Sequence, residues 1–283
     1  MWIQEKKSLY FAALKKDVGW LKKEFEAQKK IEMPVKWLET DEIYKKFHIK
    51  HSYGGILSEQ GGSIDAFKLA HDILAYNHEK RLQIFDKTYI KKFINKQNGI
   101  SVLTAHETTI TAKKIIYCNG FESTEIIKDE FVKLLSTYAI VGEWFEDDHS
   151  HINDTLFWNT AEPYMYMRTT DDNRLLIGGE DEDFVNAEKR DSLLNDKSVK
   201  LTKYLKKILP DYNFRMDFVW AGTVGETKYG LPYICKHPNF KSAYFVLGFG
   251  GNGITFSVTR MELVSKMLKN KKHPLAEYFK FRM

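Results

Sequence analysis

The stretch AYFVLGFGGNGITF, residues 243–256, contains the pattern that decides the fold. Its first five residues are apolar and predict a buried strand, and residues 254–268 have the periodicity of an amphipathic helix. The loop between them, residues 248–253, is rich in glycine. Glycines let a ligand approach the backbone closely, and the first turn of a helix offers N–H groups without partners. The stretch therefore predicts a ligand-binding turn, with a packed turn at the end of the fold as the alternative.

Gly248, Gly250 and Gly253 also match the G-x-G-x-x-G pattern of dinucleotide-binding loops. That fingerprint requires a second parallel strand after the helix, which ends in an acidic residue that binds the ribose. Only residues 269–283, which are mostly polar, follow the predicted helix, so this strand has no room there. We therefore expect the loop to bind one part of a ligand without forming the full dinucleotide unit.

The remaining pattern predicts helices, a β-meander and turns. Helices are predicted over 12–30, 41–47, 65–80 and 193–209, and strands over 82–85, 88–94, 100–105, 108–111, 114–118 and 175–177. Asn98 and Gly99 supply the turn residues of a hairpin. After residue 120 the chain becomes rich in aromatic residues, which favours a separate antiparallel sheet with a covering helix.

Composition and charge limit the functional classes. The chain has 283 residues, of which 43% are apolar, enough for one large domain or two interleaved smaller ones. The net charge of +5 is spread over a mixed surface and only seven residues are arginine, so nucleic acid is not an expected partner. Cys118 and Cys235 cannot form a disulfide framework or a zinc site by themselves. Because we find no secretory signal or membrane span, we expect a cytoplasmic protein.

Several motifs resemble one enzyme family, and their order agrees with that family along nearly the whole chain. The residues WAG (220–222), YGLPYI (229–234) and the glycine-rich stretch at 243–254 resemble the C-terminal signature of FAD-dependent D-amino-acid oxidases and glycine oxidases. The residues NRLLIGG (173–179) resemble that family's strand before the helix of the substrate domain. The residues IIYCNG (115–120) resemble its short strand that ends at the flavin. The resemblance implies that the cofactor is FAD.

The resemblance implies a mixed α/β fold in which an antiparallel substrate domain is inserted into a Rossmann-like FAD-binding domain. The FAD-binding domain would comprise residues 1–34, 64–120 and 217–283, and the substrate domain residues 35–63 and 121–216. The family's N-terminal dinucleotide-binding unit has no counterpart here, and the chain is expected to begin at the helix that follows that unit. We therefore expect an incomplete FAD-binding domain that holds FAD weakly.

The resemblance also implies which residues contact FAD. Asn119 and Gly120 would pass close to the cofactor, and the N-terminus of the last helix would face the flavin pyrimidine ring and stabilise negative charge there. The residues at that N-terminus are Gly250, Gly251, Asn252, Gly253 and Ile254. Ile90 would hold the adenine through its main chain, and an ordinary core position on a strand is the alternative for this residue.

Tyr164, Tyr166 and Arg168 alternate along one predicted strand, so their side chains point to the same face. An arginine between apolar walls is typical of a carboxylate clamp. We expect these three residues to form the catalytic, substrate-binding group and to face the cavity bordered by residues 250–254. The alternative is an edge strand with exposed aromatic rings and a surface ion pair.

Three positions depart from the family pattern. Val224 stands where the glycine oxidase branch has a carboxylate-binding arginine, and Leu176 stands where the sarcosine oxidase branch has a lysine near the flavin. Cys235 does not match the cysteine that links flavin covalently. The resemblance therefore does not imply a simple amino-acid substrate, rapid use of oxygen or a covalent flavin.

Two functional classes follow from the sequence. The first is an FAD-dependent oxidoreductase that oxidises the C–N bond of an amine or amino acid to an imine by hydride transfer to the flavin. The second is a non-catalytic remnant or binding module in which the substrate domain persists without FAD. The sequence indicates a small-molecule partner for the first class and does not fix the oligomeric state.

Overall fold

The computed structural model describes residues 3–96, 99–144, 150–240 and 242–281. The strands are β1 (Gln4–Phe11), β2 (Val35–Leu38), β3 (Gly55–Ser63), β4 (Ile90–Lys96), β5 (Gly99–Thr104), β6 (Thr109–Ala112), β7 (Ile115–Tyr117), β8 (Lys133–Gly142), β9 (Thr155–Asn159), β10 (Met165–Thr169), β11 (Leu175–Glu182), β12 (Met216–Glu226), β13 (Tyr233–Lys236) and β14 (Ala243–Leu247). The helices are α1 (Val18–Lys30), α2 (Thr40–Phe47), α3 (Ala66–Glu79), α4 (Ser150–Asn153), α5 (Ala187–Ser192), α6 (Leu194–Ile208) and α7 (Gly253–Leu268). The mixed α/β class is therefore confirmed.

The chain divides into two compact units. Unit 1 consists of Met1–Leu69 and Ser136–Gly222, and unit 2 consists of Ala70–Leu135 and Thr223–Met283. Residues 1–34, which were predicted to belong to the FAD-binding domain, lie in unit 1 because β1 bonds to β3 and β9. Residues 121–135, which were predicted to belong to the substrate domain, group with unit 2.

Unit 1 is built on an eight-stranded mixed sheet with the strand order β12-β8-β11-β10-β9-β1-β3-β2. The pairs within it are mostly antiparallel, but β1 and β9 run parallel, with Tyr10 beside Trp158. Residues on one face alternate with residues on the other, as the pleat requires. The two faces of the sheet therefore have different roles.

One face of this sheet forms the main core of unit 1. Its buried side chains include Leu9, Phe157, Met167 and Ile177, which pack in one cluster with Leu201 and Leu205 of α6. The helix predicted over 193–209 is confirmed as α6, Leu194–Ile208, because its apolar stripe packs on this core. On the other face, α1 covers part of the sheet, where Leu21 packs with Ile56.

The N-terminal prediction was wrong in one respect. The chain does not begin at a helix: residues 4–11 form β1, which lies between β3 and β9. The charged residues Glu5, Lys6 and Lys7 conceal the alternation of buried Leu9 and Phe11 that identifies the strand. The helix itself starts at Val18 and not at residue 12.

Unit 2 contains two three-stranded sheets. In the first, β14 lies between β13, which is antiparallel to it, and β7, which is parallel to it. The second is the meander β4-β5-β6, which confirms the predicted succession of short strands. The predicted strand at 82–85 is absent from the described residues, and Leu82 and Phe85 are exposed because no neighbouring strand covers them. Asn98 of the predicted hairpin turn lies outside the described residues.

The core of unit 2 is aromatic. The ring of Tyr117 on β7 stacks on Phe245 of β14, with a distance of 4.8 Å between the centroids. Phe131, Tyr233 and Phe281 extend the same cluster. Aromatic rings bury a large apolar area, so this cluster fixes the end of β14 from which the glycine-rich loop emerges. None of the helices in the described part of the chain is both long enough and apolar enough to cross a membrane.

The core of unit 1 allows a test of the assignment of α6. Leu201→Ala removes a fully buried side chain, and we expect the free energy of unfolding to fall by about 2–5 kcal/mol because a cavity remains. Val199→Ala on the same helix removes an exposed side chain and should change it by less than about 0.5 kcal/mol. Urea denaturation followed by circular dichroism measures both. Equal losses in the two variants would contradict the observed orientation of α6.

Candidate functional site

Tyr166 and Arg168 lie on the face of the large sheet opposite to the main core. Along β10, Met165, Met167 and Thr169 are buried, and the two residues between them are half-exposed. Trp158 pairs with Tyr166 across β9 and β10 and is also exposed. We call the face that carries Tyr166, Arg168 and Trp158 the open face. Tyr164 lies just before β10, with its ring centroid 5.9 Å from that of Tyr166.

The Tyr166 ring lies flat across the neighbouring strand. Its partner in the β10–β11 register is Gly178, and a Cβ atom at this glycine would overlap the Tyr166 ring and hydroxyl. Glycine at position 178 therefore sets where the phenol lies. The Tyr166 hydroxyl lies beside Thr137 of β8, whose side chain acts to lower the pKa of the phenol.

Arg168 and Arg174 differ in their polar partners. Its Nη1 donates a hydrogen bond of 3.2 Å to the carbonyl oxygen of Thr169. Over the described ranges of the chain, no carboxylate forms an ion pair with its guanidinium. Arg174, by contrast, pairs with Asp172 at 2.9 Å and with Asp217 at 2.5 Å. A half-buried guanidinium without a carboxylate can accept one from a ligand.

Asp181 adds an acidic group to the open face that the sequence analysis missed. Burial raises the pKa of the Asp181 carboxyl, whereas its hydrogen bond with Thr137 and the charge of Lys197 lower it. Burial also raises the pKa of Tyr166, as does the negative charge of Asp181, whereas Arg168 lowers it. The phenol of Tyr166 is thus within electrostatic range of one cation and one anion. The run Glu180–Asp183 offered no signal to separate this carboxylate from its neighbours.

A buried lysine fixes the end of β11. The Lys197 ammonium donates to the Glu180 carbonyl oxygen at 2.8 Å, to Glu180 Oε2 at 3.2 Å and to Glu182 Oε1 at 2.7 Å. Burial lowers the pKa of Lys197, but the hydrogen bonds to Glu182 and Glu180 outweigh this, so that the pKa is raised overall. The two glutamates are therefore committed to Lys197, which leaves Asp181 beside Thr137.

In unit 2, the glycine-rich loop leaves β14 in the left-handed backbone region. Gly248 has φ +74° and Gly250 has φ +52°. A Cβ on Gly248 would lie 2.6 Å from Cγ2 of Thr227. Helix α7 begins at Gly253, one residue before the predicted start, and Gly251, Asn252 and Ile254 are exposed at this end. The loop thus offers open backbone at a helix N-terminus.

The other predicted cofactor residues also lie in unit 2. Gly120, which follows β7, has φ +58° and open space around its Cα. The neighbouring Asn119 has a buried side-chain oxygen, Oδ1, that finds no hydrogen-bond partner among the described residues. Ile90 opens β4 opposite Thr104 and is half-buried. An orphaned acceptor and glycines without steric obstruction fit a hydrogen-bonding cofactor such as FAD.

The residues predicted to bind substrate and those predicted to bind the cofactor belong to different units. Tyr164, Tyr166 and Arg168 belong to unit 1, whereas Asn119, Gly120 and residues 250–254 belong to unit 2. The prediction that the first group faces a cavity bordered by residues 250–254 stays a prediction. Across the part of the chain that the structure covers, no three His, Cys, Asp or Glu side chains come together as metal ligands.

Two glycines of unit 2 test the packing of the loop. Gly248 and Gly230 both have positive φ, +74° and +69°, so alanine strains the backbone at either position by roughly 1–2 kcal/mol. Only at Gly248 would the new Cβ collide with a neighbour, whereas nothing lies within 4 Å of it at Gly230. We expect Gly248→Ala to lower the free energy of unfolding by about 1–3 kcal/mol more than Gly230→Ala does. Denaturant titration measures the difference, and equal losses would contradict the packing of the loop against Thr227.

Comparisons with known proteins show the family to which the chain belongs. The family model for FAD dependent oxidoreductases, DAO, matches residues 2–261. Glycine oxidase of Bacillus subtilis (strain 168) is 37% identical over 70 residues, which are 24% of this chain and 19% of that protein. The match thus spans about a fifth of the length of this curated relative.

Solved structures share the fold over almost the whole chain. A glycine oxidase from Geobacillus kaustophilus superposes with a TM-score of 0.84 at 19% identity, covering 99% of this chain and 76% of its own. An L-proline dehydrogenase from P. horikoshii gives a TM-score of 0.81 at 16% identity, with coverage of 99% and 76%. These likenesses establish the fold, and the family model covers most of the sequence. The chain belongs to the DAO family of FAD-dependent oxidoreductases.

Proposed function

We propose that the chain oxidises the C–N bond of a small amine or amino acid to an imine by hydride transfer to FAD. The observation that carries this proposal is Arg168, a half-buried guanidinium on the open face for which the described residues supply no carboxylate. Substrate binding is assigned to unit 1 and FAD binding to unit 2. The names of the similar proteins, glycine oxidase and L-proline dehydrogenase, agree with a substrate that carries both an amine and a carboxylate.

Arg168 would bind and orient the substrate through its carboxylate. A guanidinium presents N–H donors in a planar fork that matches the two oxygens of a carboxylate. Because the Nη1 atom is already engaged with the Thr169 carbonyl, the guanidinium is restrained on the open face. A restrained arginine loses less conformational freedom when the substrate binds.

Tyr164 and Tyr166 would form one wall of the substrate site. Their rings are tilted by 36° to each other, which gives an apolar surface next to Arg168. The raised pKa of Tyr166 keeps its hydroxyl protonated at neutral pH, so that it can donate a hydrogen bond to a bound substrate. The two rings would cover part of a bound substrate, which would strengthen the electrostatic contact between Arg168 and its carboxylate.

The residues that would hold FAD are Asn119, Gly120, Gly250, Gly251, Asn252, Gly253 and Ile254, with Ile90 as the proposed adenine contact. FAD bound there would supply a hydride acceptor for the C–H next to a neutral amine nitrogen, and the iminium left behind would become the imine by losing an N–H proton to solvent. The N-terminus of α7 stabilises negative charge because its N–H groups lack partners within the helix. Asn119 Oδ1, which has no donor among the described residues, would accept a hydrogen bond from FAD.

The carboxylate clamp predicts a substrate-dependent effect. In protein supplied with excess FAD, Arg168→Gln should raise the KM for an amino acid by about 10–100-fold, because charge-assisted hydrogen bonds contribute about 1.5–3 kcal/mol. The KM for an amine without a carboxylate should stay the same. Arg215→Gln, which changes an exposed arginine paired with Glu143 at 3.9 Å, is the matched control and should affect neither. Initial-rate measurements give the KM values of the unmodified chain and of both variants. An unchanged KM for amino acids in Arg168→Gln would show that Arg168 does not bind the substrate carboxylate.

A second experiment separates the enzyme from a binding module. FAD has a pyrophosphate, and within the described residues the loop at 248–253 is not followed by a second parallel strand with an acidic end. We therefore expect the 283-residue chain to lose FAD on gel filtration and to elute without flavin absorbance. If a few pyrophosphate contacts of about 1.5–3 kcal/mol each are not made, the affinity for FAD would be lower by orders of magnitude. Elution with one FAD per chain would contradict weak binding and favour a self-sufficient enzyme.

A further inference from the structure

Asp181 is brought to the open face by a bulge in β11. Gly179 pairs with Tyr138 and Glu182 with Ser136, so two residues of β11 lie opposite Thr137 of β8. Lys197 binds Glu180 and Glu182 on the buried side of the sheet. The extra residue of the bulge therefore turns Asp181 toward Thr137, which lies close enough to influence the pKa of its carboxyl group.

One oxygen of this carboxylate has no partner. Asp181 Oδ1 is fully buried, and none of the described residues donates a hydrogen bond to it. A buried carboxylate oxygen without a donor destabilises the fold unless a ligand or water supplies one. A cationic amine is the donor that best matches a carboxylate, because it provides both the proton and the opposite charge.

Asp181 and Arg168 carry opposite charges on the same face and do not pair with each other. Arg168 lies opposite Leu176 in the β10–β11 register, and Asp181 lies four register steps further along β11 once the bulge is allowed for. At about 3.3 Å for each residue, the two positions are about 13 Å apart along the strand direction, and they lie on neighbouring strands. The Tyr166 phenol lies within electrostatic range of both groups. The spacing suits a molecule whose two charges are separated by several bonds.

The surface between the two charges is aromatic. Trp158 lies across from Tyr166 in the β9–β10 register, and its ring stacks on Tyr10 with 4.5 Å between the centroids. Tyr164 extends the surface on the other side of Tyr166. Aromatic faces attract methylene groups and ammonium ions alike. This surface therefore favours an aliphatic chain that connects the two charged ends.

We infer that Asp181 recognises the cationic end of a zwitterionic substrate whose carboxylate is bound by Arg168. The substrate is then an amino acid with widely separated charges, such as an ω-amino or diamino acid, and not a simple amine. This inference rests on the proposed function, since it uses Arg168 as the carboxylate clamp, and it names the substrate class for that site.

The test measures binding to the full chain by calorimetry in excess FAD. The probes are 4-aminobutanoate, glycine, butanoate and butylammonium. We expect 4-aminobutanoate to bind at least about tenfold more tightly than butanoate or glycine, which corresponds to about 1.4 kcal/mol. Asp181→Asn should abolish this preference and weaken butylammonium, while the affinity for butanoate stays the same. Asp183→Asn changes an exposed acid two residues away and should leave all four affinities unchanged.

The outcomes separate this inference from the proposed function. If the unmodified chain binds 4-aminobutanoate and butanoate with equal affinity, Asp181 does not recognise the cationic end of the ligand. An Asp181→Asn protein that keeps the preference would overturn it too, and unchanged butanoate binding shows that this variant is folded. If Asp181→Asn does not fold, Thr137→Val should reduce the preference by removing the hydroxyl beside Asp181. If Arg168→Gln leaves butanoate binding unchanged, Arg168 is not the carboxylate clamp and the proposed function fails. Loss of butylammonium binding in Asp181→Asn would still support Asp181 as the site that binds the cation.

Discussion

The alternation of side chains along β10 is the constraint on which unit 1 depends. Met165 and Met167 belong to the main core, so the residues between them must point to the opposite face. A shift of one residue would bury Arg168 in the apolar cluster and expose both methionines. The hydrophobic core therefore fixes the direction of Arg168, and the same packing that stabilises the sheet also creates its polar open face.

The end of β11 depends on a second constraint, the buried ammonium of Lys197. Its three hydrogen bonds engage the backbone of Glu180 and the side chains of Glu180 and Glu182. Because a buried cation needs such partners, it holds the acidic run in one conformation. Glu180 adopts φ +57° there, and the bulge leaves Asp181 on the face of Tyr166. Glu180 and Glu182 thus bind Lys197, whereas Asp181 between them lies on the open face.

Much of this arrangement could be predicted from the sequence. The apolar run at 243–247 identified β14, and the periodicity after residue 253 identified α7, because strong local patterns agree with the final packing. The spacing of Tyr166 and Arg168 gave their common face, since alternation is a local property of a strand. The glycine at 248 marked a turn that requires a positive φ.

Other features depend on contacts between distant segments and could not be predicted. β1 is stabilised by β3 and β9, and its charged first half hides the alternation. The apolar residues at 82–85 suggested a strand, but a segment forms a strand only where a neighbouring strand pairs with it. Asp181 stood among other acids, and only the register of β11 against β8 and the ammonium of Lys197 distinguish it.

The central claim is that Arg168 on the open face binds the carboxylate of a substrate. A crystal structure of the chain soaked with butanoate tests this most directly, because it locates both carboxylate oxygens. The account predicts two N–H···O contacts of about 2.7–2.9 Å between the Arg168 guanidinium and the ligand, beside the Tyr166 ring. A guanidinium that pairs with a carboxylate of the protein, with butanoate bound elsewhere or not at all, would contradict it.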